Sequence, residues 1–209
     1  DYIAAHYPVA SEDVHMILNQ GEVYEGPEDE VEKEYRLMMR FFEGADLSDP
    51  KQYETASNLI DIESAINYYL MQIYCANTDW PGNNMKMWRA AEGNDPAYTK
   101  WRYLMFDTDF GFALYPNLDS TYDSDTLSFA TALHGDQWPN PPWSTLILRR
   151  LLDNPSFREQ FIAKQKALLE TVLSEEQVLA RIKAFKDLLD PEIKENIAKI
   201  PYRLISKSD

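Results

Sequence analysis

Along residues 61–76, DIESAINYYLMQIYCA, apolar side chains recur at Ile62, Ala65, Ile66, Tyr69, Leu70, Ile73 and Tyr74. The i, i+3, i+4, i+7 spacing puts them on one stripe of a 3.6-residue helix, with Asp61 placed to cap it. Residues 27–43 predict a second helix. Pro27 stands near its start, acids fill the first turn, and Gly44 lies just past its end. Asp49-Pro50 restarts the chain, and the first 25 residues show neither period and read as irregular. After residue 84 the pattern shortens. Residues 85–89 and 101–106 are apolar and aromatic, and with AAEGNDPAYT between them they predict a β-hairpin. Residues 107–143 have no period and are rich in Asp, Pro and aromatics. A loop that long inside a compact domain is functional or disordered. The last third is helical. Ser144 caps one helix through Leu152, and Asn154-Pro155 opens another through about Val172. The capping box Ser174-Glu-Glu-Gln177 starts a third, ending near Asp190-Pro191, with a short fourth after it. The predicted class is α+β, predominantly α, with a small hairpin at its heart and a C-terminal helical bundle. There is no internal repeat and no low-complexity segment.

Composition narrows what such a chain does. Its 209 residues suffice for one domain with a proper core, or two small ones. With 44% hydrophobic and 13% aromatic residues it is globular. No apolar run approaches the roughly 18 residues of a membrane span. The sequence starts at Asp1 without Met and without a signal peptide, so a processed chain or a piece of a longer one is expected. Thirty-five acidic against 20 basic residues give a net charge of −15. A phosphate backbone is repelled by that surface, which argues against nucleic acid as a partner. A metal or a cationic substrate fits it, as does plain solubility. Cys75 is the single cysteine, which excludes an internal disulfide and a cysteine metal cluster. On the apolar stripe it reads as a small core residue.

The candidate chemistry sits between the first clear helix and the hairpin, in NTDWPGNNMKMWR. Asn, Asp, Pro and Gly are turn residues for local backbone reasons. The spacing asks for more: Asp79 and Asn84 stand as D-x-x-x-x-N, and after the hairpin come Asp107 and Asp109 in FDTDFG. Phosphoryl transfer needs a carboxylate to orient the accepting hydroxyl, and oxygen ligands that hold a divalent cation against the phosphates. Protein kinases place the base and one metal ligand as D-x-x-x-x-N, and a strand pair leads to a second, metal-chelating Asp. Hard oxygens from Asn84 and an Asp suit Mg²⁺ or Mn²⁺. Either motif alone arises by chance; their order along the chain is more informative. A metal-dependent glycosyltransferase using Asp107-Thr108-Asp109 as D-x-D is a weaker reading, since no strands alternate with helices before it. His6, His15 and His134 are scattered. His134-Gly135-Asp136 imitates the start of a kinase catalytic loop, but Pro141 stands where the Asn belongs. Asp119, Asp123 and Asp125 lack the spacing of a calcium loop and read as solvated. Trp138, Pro141, Pro142 and Trp143 form a sugar or peptide platform, or pin the long loop to the helices behind it. Trp80 shields the catalytic loop or packs on the hairpin. No G-x-S-x-G elbow supports serine hydrolase chemistry.

Three stretches, NLIDIESAINYYLMQIYCANTDWPGNNMKMWR, KWRYLMFDTDFGFALY and NPPWSTLILRRLLDNPSFREQFI, together resemble the CotH kinase family, from about residue 59 to residue 200. That family is named for a spore-coat protein and is spread through bacterial secreted and surface proteins. The resemblance implies an atypical protein-kinase-like fold that transfers phosphate from ATP to Ser or Thr of a protein, with Mg²⁺ or Mn²⁺. By it Asp79 matches the catalytic Asp, Asn84 the metal-binding Asn, and Asp107 the metal-binding Asp of an aromatic-D-x-D pattern. Asp109 is left as a second-metal candidate. Phe106 stands where the family usually has Trp. No G-x-G-x-x-G and no V-A-I-K-like strand precede Asp79. The resemblance therefore implies that the nucleotide lobe lies upstream, with residues 1–58 a helical continuation of it and 59–209 the catalytic-loop and helical subdomain, one domain overall. An extracellular or cell-surface location is the family's habit. The alternative is a secreted binding or scaffold module that kept the fold and lost catalysis.

Overall fold

The computed structural model describes residues 2–114, 123–135 and 138–199, with residues 194 and 197–199 described by backbone alone. The chain opens with a short helix, α1 (Tyr2–His6), a 3₁₀ turn at Ser11–Asp13, and two strands, β1 (Val14–Leu18) and β2 (Glu22–Glu25). Three helices follow: α2 (Glu28–Gly44), α3 (Pro50–Leu59) and α4 (Ile62–Cys75). Then come strands β3 (Lys86–Ala90) and β4 (Arg102–Leu104), and helices α5 (Thr126–Ala130), α6 (Leu146–Asp153), α7 (Pro155–Glu170) and α8 (Glu175–Lys199). Two compact units divide them, Asp1–Phe161 and Ile162–Asp209. Among the described residues no helix is long and apolar enough to cross a membrane.

Both long helices predicted in the first half form for the reasons read from their patterns. α2 buries Val31, Tyr35, Met38 and Phe42, one side chain per turn. In α4 the Asp61 carboxylate accepts from Ser64 N–H at 2.8 Å, and the helix stops where Ala76 turns left-handed (φ 50°). The expected hairpin is β3 and β4, antiparallel, with Met87 opposite Tyr103. Its strands are shorter than the pattern suggested.

The first 25 residues are not irregular. They supply half of a four-stranded antiparallel sheet of order β2-β1-β3-β4, in which β1 pairs with β3 from Val14↔Ala90 to Leu18↔Lys86. Four of the five residues of β1 are buried, so VHMIL shows no apolar–polar alternation. It pairs on one side with the adjacent β2, but its other partner, β3, is some seventy residues away, beyond the reach of any local signal. An antiparallel sheet also removes the parallel α/β scaffold that the D-x-D glycosyltransferase reading required.

Other boundaries move. Asp49 caps α3 by accepting from Lys51 N–H, and Asp125 caps α5 by accepting from Ser128 N–H; neither helix was anticipated. α6 begins at Leu146, because the Ser144 hydroxyl donates to Pro141 O at 2.7 Å instead of capping the helix. α8 runs on through Pro191, so the third and fourth helices expected around it are one. A proline removes one N–H, and the helix continues on both sides of it. Asp119 and Asp136, weighed above, lie outside the described residues.

Candidate active site

The site forms where α4 ends. Ala76 takes a left-handed conformation and turns the chain into the loop 77–85. Asn77 is buried there and serves as a scaffold: its amide donates to Gln72 Oε1 (2.9 Å), and its Oδ1 accepts from Asp79 N–H (3.1 Å). The Asp79 carboxylate is then fixed by two neighbours. Asn83 Nδ2 donates to both of its oxygens (3.0 and 3.1 Å), and Asn84 Nδ2 donates to Oδ2 (2.8 Å). Asn84 reaches this position in a left-handed conformation (φ 54°), which Asn tolerates better than most residues. With its NH₂ turned to Asp79, the Asn84 Oδ1 is the atom left to face a cation. Asn19, in the β1–β2 turn, locks the far side of the loop. Its N–H donates to Met85 O (2.7 Å) and its side-chain oxygen accepts from Met85 N–H (3.3 Å).

Beneath the loop, Trp80 is fully buried and its Nε1 donates to Tyr68 OH at 2.9 Å. Its ring lies against Tyr68 and Tyr69 of α4, which in turn contact Tyr103 of β4. Trp80 therefore anchors the loop to α4. Gly82 lets a second segment approach. Its N–H donates to Pro139 O at 2.6 Å, and a Cβ there would meet Pro141 Cδ at 2.4 Å. The proline-rich stretch thus pins the catalytic loop itself, where the sequence suggested a pin to the helices behind.

Opposite, the chain leaving β4 passes Phe106 and turns at Asp107, whose φ of 50° is again left-handed. The following residues are tied back to the end of α4. Phe112 N–H donates to Cys75 O (2.6 Å), and the Thr78 N–H and hydroxyl both face Phe110 O (3.4 and 3.3 Å). A Cβ on Gly111 would lie 3.0 Å from Cys75 O, so the segment and the helix end are in close contact. This seam brings Asp107 beside Asp109 and into the field of Asp79. A hydrogen bond with the Asp109 carboxyl, then partial loss of solvent, then the negative charges of Asp109 and Asp79 hold the Asp107 carboxyl above the ordinary carboxylate range. Cys75 is buried, and burial pushes its thiol up.

These four residues are hard oxygen donors, and a divalent cation relieves the like-charge crowding at Asp107. Among the described residues, however, Asp79, Asp107 and Asp109 do not form a group with all ligand atoms within 4.8 Å of one another; only His15, Glu30 and Glu34 do. These carboxylates therefore do not by themselves make an all-protein cage, and a cation held by one or two of them would need water or ligand oxygens to complete its shell.

The His15 group is better explained as an anchor. Its Nδ1 is 2.8 Å from Glu34 Oε2, and Arg89 lies 3.7 Å from the other oxygen of the same carboxylate and pairs with Glu92. A guanidinium already neutralises that carboxylate, and the network ties α2 to the sheet. A cleft of about 360 Å³ runs along α4 between Asp61 and Met71 and includes none of the four predicted residues. Asp125 is an α5 cap, and its hydrogen bonds from Ser128 hold its carboxyl low.

Sequence reasoning missed the roles of Asn77, Asn83, Gln72 and Asn19. The first two carried a signal, as the Asn of N-x-D and the first of an Asn pair; the last two carried none.

The family model described as CotH kinase protein matches residues 10–208. No curated protein and no solved structure matches the chain.

Proposed function

The chain belongs to the CotH kinase family, and on that premise we propose that it is the catalytic-loop region of an atypical protein kinase, which transfers the γ-phosphoryl group of ATP to Ser or Thr of a protein. One observation carries the reading. Asp79 is held by Asn83 and Asn84 at one side of a seam whose other side presents Asp107 and Asp109. Asp79 orients the acceptor hydroxyl and takes its proton as the oxygen attacks the γ-phosphorus and the bond to the ADP oxygen breaks. Asn83 and Asn84 fix the carboxylate so that no side-chain freedom is lost at that moment. Asn84 Oδ1 and Asp107 would hold Mg²⁺ or Mn²⁺, with Asp109 beside them, and the ion would supply charge neutralisation on the phosphates. Such a protein fits the family's extracellular or surface habit.

The test is phosphate transfer from labelled ATP to a protein acceptor by the wild type and Asp79→Ala. Loss of a general base predicts a fall of about a hundredfold or more, with an unchanged circular dichroism spectrum and thermal transition. Undiminished transfer by the folded variant removes Asp79 from the chemistry. A full-length protein that binds no nucleotide with Mn²⁺ turns the assignment to a binding or scaffold module.

A further inference from the structure

One face of the sheet is only partly covered, and its open end carries Lys86, close in sequence to Asn84. β1 pairs Met16 with Trp88 and Leu18 with Lys86, so strand alternation puts these four side chains on one face. Ile17, Met87 and Tyr103 take the other, where Tyr103 meets the α4 tyrosines. On the first face the N-terminal segment, through Ile3 and Val9, packs with Met16, Trp88 and Ala90 into a buried cluster. Lys86 lies beyond it and is half-buried. Its Nζ stands 3.8 Å from the centre of the Tyr24 ring on β2 and 4.6 Å from that of Phe106. Asn84 is two residues before Lys86, and Asp107 directly follows Phe106.

Two ring faces hold an ammonium through their quadrupoles but provide no strong acceptor, so its N–H groups keep their capacity to donate. The chain carries 35 acidic residues, yet among the described residues Lys86 has no carboxylate within ion-pair distance. Held on two rings, one of them next in sequence to Asp107, the lysine is a cation left for an anionic ligand. We propose that Lys86 is a phosphate-contacting residue: its ammonium donates to a non-bridging phosphate oxygen of the bound nucleoside triphosphate, and Tyr24 and Phe106 hold it in place. This rests on the kinase reading above. It also offers a phosphate-gripping lysine located after the catalytic loop, in a sequence with no V-A-I-K-like strand before it.

Calorimetry on wild type, Lys86→Met and Lys86→Arg, with ATP, ADP and AMP in the presence of Mn²⁺ and with Mn²⁺ alone, decides the point. The inference expects Lys86→Met to weaken ATP about tenfold, ADP less and AMP hardly at all, as for loss of one charge-assisted hydrogen bond. Binding of Mn²⁺ alone and the thermal transition stay at wild-type values, and Lys86→Arg keeps part of the ATP affinity. Equal ATP binding by wild type and Lys86→Met overturns the assignment of Lys86 while leaving the kinase reading intact. An equal loss for ATP and AMP overturns it too, since that marks a merely structural lysine. A folded full-length protein that binds none of the three nucleotides defeats the kinase reading itself, and the lysine assignment with it.

Discussion

Asp79 receives N–H groups from two consecutive asparagines, and the two do different work. In the proposal Asn84 also faces a cation, whereas among the described residues the hydrogen bonds of the Asn83 side chain go to the Asp79 carboxylate and, at 3.4 Å, Asn19. Asn83→Ala is therefore expected to lower kcat about tenfold by loosening Asp79, with the KM for ATP unchanged, in steady-state phosphorylation assays. Asp107 gives a second expectation. Its carboxyl is raised because it lies beside Asp109 and in the field of Asp79. In the metal-free protein, carboxyl NMR titration should find Asp107 deprotonating above ordinary aspartates, and Asp109→Asn should bring its midpoint down. The sign for stability follows. Between the ordinary carboxylate value and the raised one, the native state binds more protons than the unfolded chain. The stability that Asp107 contributes is complete below the ordinary value and is lost as pH rises through the raised one. Asp79, Asn84, Asp107 and Asp109 were singled out in the sequence because a motif of fixed spacing needs few residues to define it, and their roles rest on the proposal above. That Asp107 responds to Asp79 across the hairpin was not, since it depends on how the chain after β4 is tied to α4.

Helix α2 and the sheet are joined through one carboxylate. Glu34 is shared by His15 of β1 and Arg89 of β3, both of them buried. Glu34→Ala leaves a buried imidazole and guanidinium facing a void, and should cost about 2–4 kcal/mol in urea unfolding. Gly82→Ala tests the contact between the catalytic loop and the proline-rich segment. With Pro141 Cδ at 2.4 Å from the new Cβ, one of the two must move. A loss of about 1–3 kcal/mol is expected, accompanied by reduced phosphoryl transfer because Asp79 is three residues away. α2 and α4 were readable because an amphipathic stripe and its caps are local. β1 was not, because a strand buried on both faces loses its alternation, and of its two partners β3 is distant in sequence.

The molecule as a whole carries a net charge of −15, spread well beyond the site. Like charges repel in the compact state, and salt screens them over about 10 Å at 0.1 M. The urea midpoint should therefore rise as NaCl increases from near zero to about 0.15 M; a falling midpoint would show that ion pairs such as Glu34 with Arg89 outweigh the repulsion. The unit Ile162–Asp209 is built differently from the first. In α8 Leu179, Ile182, Phe185 and Leu188 are all exposed, and the helix is held locally by i,i+4 pairs such as Lys183 with Asp187.

Local physics was enough for the sequence to determine the amphipathic helices α2 and α4 with the Asp61 cap, the β3–β4 hairpin, and the ordered run from Asp79 to Asp109 that marks the family. Each depends on residues within a few turns of one another or on a motif of fixed spacing. Tertiary structure alone decided that β1 and β2 complete the sheet, and that Pro139 and Pro141 press on Gly82. It also decided that Trp80 anchors to α4 and that Lys86 rests on the rings of Tyr24 and Phe106. These contacts join segments tens of residues apart, and each depends on which distant surface is available to bury an apolar face or satisfy a donor.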